Sequence, residues 1–220
     1  MRLQDAGVAA IALDIILAEP DRNSAAELLG EIPDEATRER LARTLSKFLP
    51  LDNDEVLRRT VARGGVVAAF ALTRGEPNPA PVRHGGFAFV GENPTRFIPT
   101  VETNTTSLPA FQSAAAGNGF VSIIKSRDGV VRSVPLVFGN KPAGAEKGEF
   151  YPSIAVEALR VAQGASTVLV KASGSDRETG FGDHTGILAV RVGSLTISMT
   201  PSGQISIYPT GQKPERYIFA

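Results

Sequence analysis

Asp14 is the residue whose setting most invites chemistry. It interrupts the apolar run Gly7–Leu17, GVAAIALDIIL, near the end expected to be a strand's carboxyl terminus. Ligands of open α/β sheets gather at that edge. A carboxylate buried there must be paired, hydrogen-bonded or metal-bound, because isolated burial costs several kcal/mol. Two readings stand: a ligand-facing carboxylate, or a structural Asp accepting N–H bonds from the next loop. Glu19, Asp21, Asp52 and Asp54 could converge on the same edge, an arrangement that suits Mg²⁺ or Ca²⁺. However, no EF-hand spacing or other ordered metal motif is present. Asp52 and Asp54 also precede a helix, where capping accounts for at least one of them.

Asp128-Gly129, flanked by Arg127 and Arg132, is the second cluster. Turn geometry alone selects Asp and Gly there. Arg132 is left to pair with Asp128 or to contact an anionic ligand. Gly117-x-Gly119 and the stretch Gly174–Gly186 are glycine-rich, yet neither is a Walker loop or a dinucleotide fingerprint. No G-x-S-x-G elbow or H-E-x-x-H motif occurs. The two histidines are His84 and His184; the latter sits in a Gly-rich loop with no partner placed by sequence. The chain has no cysteine, which excludes disulfides, thiolate nucleophiles and cysteine metal sites together.

The elements that must position these groups follow from patterning. Gly7–Leu17 reads as a continuous, central buried strand, apolar on both faces. The polar loop Ala18–Ser24 follows it. Asp34–Phe48 is a charged amphipathic helix with Leu41, Leu45 and Phe48 as its stripe. Asp52 or Asn53 caps a second helix through Arg63, closed by Gly64-Gly65, and Val66–Leu72 is the next strand. This is a βαβ unit, expected to be parallel and right-handed. Phe87–Val90 is a short strand and Pro109–Ala116 a short helix. Asp128-Gly129 predicts a tight hairpin joining Gly119–Lys125 to Val130–Phe138. Pro152–Gln163 is a helix with Pro152 in its first turn. Val168–Lys171, Ile187–Val192, Leu195–Met199 and Ile205–Tyr208 are short strands. The expected fold is α/β: a single domain spanning residues 1–220, with a mixed β-sheet, helices on both faces and a C-terminal run of short antiparallel strands.

Composition sets the outer bounds. The 220 residues are 42% hydrophobic and 21% charged, which is globular rather than disordered. Lys plus Arg and Asp plus Glu number 23 each, so no global basic charge points to nucleic acid or an anionic membrane. No run reaches the roughly 18 apolar residues of a membrane span. Asp5 and Asp14 sit where a secretion signal should be free of acidic groups, so the chain reads as a piece that opens at its first core strand.

These landmarks, in order, resemble the second type of CHASE domain, the cyclases/histidine kinases associated sensory extracellular domain. Ala9–Pro20 resembles that family's opening strand and Glu-Pro turn. Asp54–Leu57 through Gly65–Val67 is similar to its Asp-headed helix and second strand. Gly119-Phe120-Val121 with Asp128–Leu136, DGVVRSVPL, resembles its Gly…Asp-Gly-Val-x-Arg-x-x-Pro-Leu signature. Pro152–Ala155 resembles its late helix start, and Gly203–Tyr208 with Arg216–Phe219 its last strand and the approach to the membrane.

The resemblance implies an extracytoplasmic, periplasmic sensor that is itself non-catalytic and needs no cofactor. It implies a cytoplasmic output domain in the same parent chain, foremost a nucleotide cyclase, otherwise a histidine or Ser/Thr kinase. The partner expected at the sensor is a small-molecule or ionic signal, with Asp14, Glu19, Asp54, Asp128 and Arg132 as candidate ligand-binding residues. A homodimer is the expected vehicle; if both ends of the chain lead to membrane spans, Gly7 and the Arg216–Ala220 tail should lie on one side. Two rivals are a soluble α/β metal-dependent hydrolase using Asp14 and Asp54, and a purely structural dimerisation module.

Overall fold

The computed structural model describes residues 2–73, 79–124, 128–141, 148–174 and 186–207. In chain order the first elements are α1 (Arg2–Asp5), β1 (Ile11–Leu13), α2 (Ala25–Gly30), α3 (Glu35–Leu45), α4 (Asn53–Val61), β2 (Val66–Thr73) and β3 (Gly86–Val90). A 3₁₀ turn at Pro94–Arg96 precedes β4 (Thr100–Val101), β5 (Thr103–Thr106), α5 (Pro109–Ala114) and β6 (Gly117–Phe120). The remainder is β7 (Ser133–Pro135), β8 (Val137–Asn140), β9 (Glu149–Pro152), α6 (Ile154–Ala162), β10 (Thr167–Ala172), β11 (Ile187–Val192), β12 (Leu195–Ser198) and β13 (Gln204–Ser206).

The α/β class, the mixed pairing and the C-terminal antiparallel strands are as expected, but the strands divide among several sheets. The first holds β1, β2, β5 and β6, and the second runs β12-β11-β10-β3. A three-stranded sheet, β4-β8-β9, and a β7–β13 pair complete the set. The first and third are joined at two places: Glu102 alone separates β4 from β5, and Phe120 bridges to Ser153. They enclose a shared aromatic core of Phe70, Phe120, Phe138 and Tyr151.

The βαβ unit is present, with β1 and β2 parallel and Ile11, Ala12 and Leu13 opposite Val66, Val67 and Ala68. The central strand, however, is β2 and not the Gly7–Leu17 run. Val66–Phe70 are all buried, whereas β1 is three residues long, pairs with β2 only and exposes Ala12. An apolar run of unbroken hydropathy does not reveal how many neighbours a strand has; Ile15, inside that run, is 62% exposed.

Helices cover both faces of the first sheet. Val61 of α4 and Ala115, just past α5, pack with Val66 and Ala68 on one face. The other face carries Val67 and Ala69 of β2 beside Gly117 and Gly119 of β6. There α6 lies so close that a Cβ on Gly119 would stand 2.5 Å from the Cα of Ile154. The opposite side of α6 meets the second sheet, where Val156 packs with Val168, Val170, Val190 and Val192. Layered this way, α6 lies between the two sheets, with Val156, Glu157 and Arg160 buried and Ala155 and Ala162 at the surface.

Two local expectations are corrected. Gly119–Lys125 and Val130–Phe138 do not form a hairpin: β6 pairs parallel with β2, β7 with β13, and β8 with β4 and β9. The turn itself persists, since Gly129 has φ +80° and Asp128 Oδ1 accepts from the Val130 N–H at 3.1 Å. A turn dipeptide fixes local geometry, and the partners of its flanks are chosen by distant strands. Pro152 ends β9 instead of opening α6, and Ser153 is the cap, its Oγ accepting from the Val156 N–H.

Candidate functional site

The carboxyl ends of the parallel strands β1, β2 and β6 define the edge at which the acidic residues were expected to meet. The structure brings part of the set together. Asp52 caps α4 by accepting from the Glu55 N–H at 3.0 Å. Two residues on, within the first turn, Asp54 Oδ2 accepts from the Asp21 N–H at 3.0 Å. Asp21 in turn accepts from the Asn23 N–H at 2.9 Å and from Asn53 Nδ2 at 2.7 Å, and these bonds, Asn53 first, lower its pKa. Ser24 caps α2. The Glu19–Ser24 loop is therefore clamped onto the start of α4.

Asp14 stands apart. It lies one residue past β1, at the carboxyl edge, but it is exposed. Among the described residues no hydrogen bond or ion pair reaches it. The expectation of a half-buried Asp14 tied to the Glu19–Ser24 loop or to Asp54 is corrected. The reason is the edge position of β1, which leaves the side chain facing water and not a neighbouring strand. The chain beyond it is secured elsewhere: the Leu17 N–H donates to Ser107 Oγ at 3.1 Å, and Leu17 O accepts from the Leu108 N–H at 2.8 Å. Glu19 pairs with Arg22 at 2.5 Å on the surface.

Asp128 and Arg132 form a second, separate unit. Arg132 donates from both terminal nitrogens to the two carboxylate oxygens, at 2.9 and 2.7 Å. The pair is exposed, and the Arg132 guanidinium holds the Asp128 carboxyl below its ordinary range, helped by the Val130 N–H. Arg127 and His184 lie outside the described residues, as does the Arg216–Ala220 tail.

The acids do not assemble into a metal centre among the described residues. Asp54 is engaged by a backbone N–H and Asp52 by a helix cap, so neither is arranged to work with Asp14.

Sequence reasoning missed the buried polar chemistry. Glu157 and Arg160 are 1% and 7% exposed and lie between the sheets. Arg160 also donates to the carbonyls of Ala116 and Ala165, both at 2.9 Å. A second network holds the segment before β3 in place. Gln112 accepts from the Val82 N–H at 2.9 Å, and Asn118 Nδ2 donates to Val82 O at 2.9 Å. His84 Nε2 meets Gln112 O at 2.8 Å, and Tyr151 donates to Pro81 O at 3.2 Å and to Glu149 at 2.8 Å. Each of these side chains positions backbone. None of the described residues forms a nucleophile–base–orienter arrangement of the kind hydrolysis requires.

The described charged groups of this α/β domain thus cap, clamp and seal its own elements. A family model described as the CHASE2 domain matches residues 1–219, and the chain belongs to that family. Its members are sensory, non-catalytic domains of cyclase and histidine-kinase receptors, typically their extracellular part. Neither the curated proteins nor the solved structures searched give a match. No helix among the described residues is long and apolar enough to cross a membrane.

Proposed function

We propose that this chain is the extracytoplasmic signal-input domain of a membrane-bound receptor whose output is a nucleotide cyclase. The observation that carries the reading is membership of a sensory family across nearly the whole chain. Sensing requires only that a ligand bind two conformations with different affinity, so no catalytic set is needed. The signal is a small molecule or ion recognised at the loop-rich edge. Asp14 offers an uncommitted carboxylate at the end of β1, and Asp128 with Arg132 offers a charged fork for an anionic group. The metal-dependent hydrolase reading is not favoured, since Asp54 is engaged by Asp21 and Asp14 has no partner to work with.

The test is a thermal-shift screen of small metabolites and ions on the 220-residue chain. A ligand at 100 times its Kd adds about 2.7 kcal/mol. Asp14→Asn or Arg132→Gln should abolish the shift for a true ligand. Substrate turnover lost in both Asp14→Asn and Asp54→Asn would instead make the domain an enzyme.

A further inference from the structure

The turn at Asp128-Gly129 sets a side-chain carboxyl next to a main-chain nitrogen that nothing shields. Asp128, Gly129 and Val130 are all exposed. Gly129 has φ +80°, and nothing lies within 4 Å of the place a Cβ would occupy. Lacking a side chain, it also reaches backbone conformations closed to other residues. Its nitrogen can therefore approach the Asp128 carboxyl carbon and close a succinimide ring. We infer that Asp128-Gly129 is a site of spontaneous isomerisation to isoaspartate, held in check by the fork of Arg132.

The chemistry uses only this chain and water. The Gly129 nitrogen attacks Asp128 Cγ, the N–Cγ bond forms, and the carboxyl's hydroxyl leaves with the nitrogen's proton as water. Water then opens the ring. Opening at Cγ restores aspartate. Opening at the main-chain carbonyl carbon of Asp128 breaks the original peptide bond. The chain then runs on through Cβ and Cγ, and the former main-chain carbonyl becomes a free carboxylate. One water leaves and one enters.

The fork opposes the first step. Arg132 donates to Oδ1 at 2.9 Å and to Oδ2 at 2.7 Å, and the Val130 N–H donates to Oδ1 at 3.1 Å. These bonds, Arg132 first, keep the carboxyl ionised. A carboxylate is a poor electrophile and lacks the hydroxyl that must leave. Both partners are more than half exposed, so the hold is modest and opens in solvent. Isomerisation lengthens the turn by one backbone carbon and draws the carboxylate off Arg132. Arg132 O accepts from the Ile207 N–H at 2.7 Å, next to the β7–β13 pair, which is the element a modified turn disturbs.

The reaction stands apart from the sensory reading, since it needs no signal. Incubating the 220-residue chain in heavy-oxygen water tests it. Each ring opening places one heavy oxygen at residue 128, read by mass spectrometry of the peptide that carries it. Label and isoaspartate should accumulate there in the native chain, and several-fold faster in Arg132→Gln. In concentrated urea, where the fork is gone, the two chains should react at one rate. Circular dichroism of native Arg132→Gln separates a lost fork from lost folding. The inference is overturned by no label at residue 128 in folded Arg132→Gln, by equal native rates in the two chains, or by an Arg132→Gln excess that persists in urea.

Discussion

Arg160 clasps Glu157, one turn earlier on α6, through Nε at 2.9 Å and a terminal nitrogen at 2.7 Å, and the pair is sealed between the two main sheets. Two further N–H groups of the guanidinium reach Ala116 O and Ala165 O, so four of its five donors are engaged. Removing one member of such a pair leaves a buried, uncompensated charge and costs about 3–5 kcal/mol. Arg160→Met should destabilise the domain by about that amount in chemical denaturation. The double variant Glu157→Leu/Arg160→Met should lose less than the two single changes added together. Strict additivity would mean that the two side chains do not act as a unit.

Gly119 lets α6 approach β6. A methyl group at this position would stand 2.5 Å from Ile154 Cα and 2.7 Å from its nitrogen, both backbone atoms that cannot rotate away. Gly119→Ala should therefore destabilise by about 1–3 kcal/mol, as overpacking does. Gly30→Ala, where a Cβ meets nothing within 4 Å, is the matched control and should be neutral or slightly stabilising. Equal midpoints for the two variants would contradict the close approach.

Both features were partly legible in the sequence. The α6 segment Ile154–Ala162 has Glu157 and Arg160 as its only charged residues, and their i, i+3 spacing sets them side by side on the helix. Likewise, Gly117-x-Gly119, read as glycine-rich but not as a phosphate loop, is a strand whose missing side chains admit a helix. Asp52 and the Gly64-Gly65 stop were readable because capping and positive φ are local rules, whereas the short helix α2 and its Ser24 cap were not anticipated. The rank of β1 in the sheet and the partners of β6 and β8 were not. Those depend on strands up to about 70 residues away, such as β13 pairing with β7, and turn chemistry carries no information on distant partners.

Tyr151 sets an alkaline limit. It is 1% exposed, and burial, with the bond to Glu149 second, pushes its phenol above the ordinary value of 10.0. A group whose folded pKa is raised gives stability that is present below the unfolded value and is lost as pH rises beyond it. The unfolded phenol ionises there and the buried one does not. Stability should fall as pH climbs past 10.0, and the fall should be shallower in Tyr151→Phe. Absorbance titration should show Tyr151 ionising only with unfolding. Ionisation of all three tyrosines in the native state at an ordinary pKa would contradict this.

Glu55 sets the corresponding acid behaviour. Arg58 contributes two hydrogen bonds to it, at 2.6 and 2.8 Å, and Arg59 one at 2.7 Å. These lower its pKa from 4.5 to about 2, with Arg58 the larger cause. A depressed carboxylate stabilises above its unfolded pKa, and that support is lost as pH falls from 4.5 toward about 2. Carbon-detected NMR titration should find Glu55 still ionised at pH values where exposed glutamates are half protonated. Added salt should raise its pKa, because the trio lies at the surface. A midpoint at the ordinary value in low salt would show that the trio does not persist in solution.

Asp14 separates stability from binding. Were it a structural acceptor, Asp14→Ala would strand donors and cost about 1–3 kcal/mol. Its exposure, and the absence of any partner among the described residues, predict a change within about 0.5 kcal/mol in denaturant midpoint. The same substitution should remove the thermal shift produced by a ligand held at the carboxyl edge of β1, since the side chain is free to engage one. Stability lost in Asp14→Ala, with ligand response intact, would return the residue to a structural role and move the candidate site to Asp128 and Arg132.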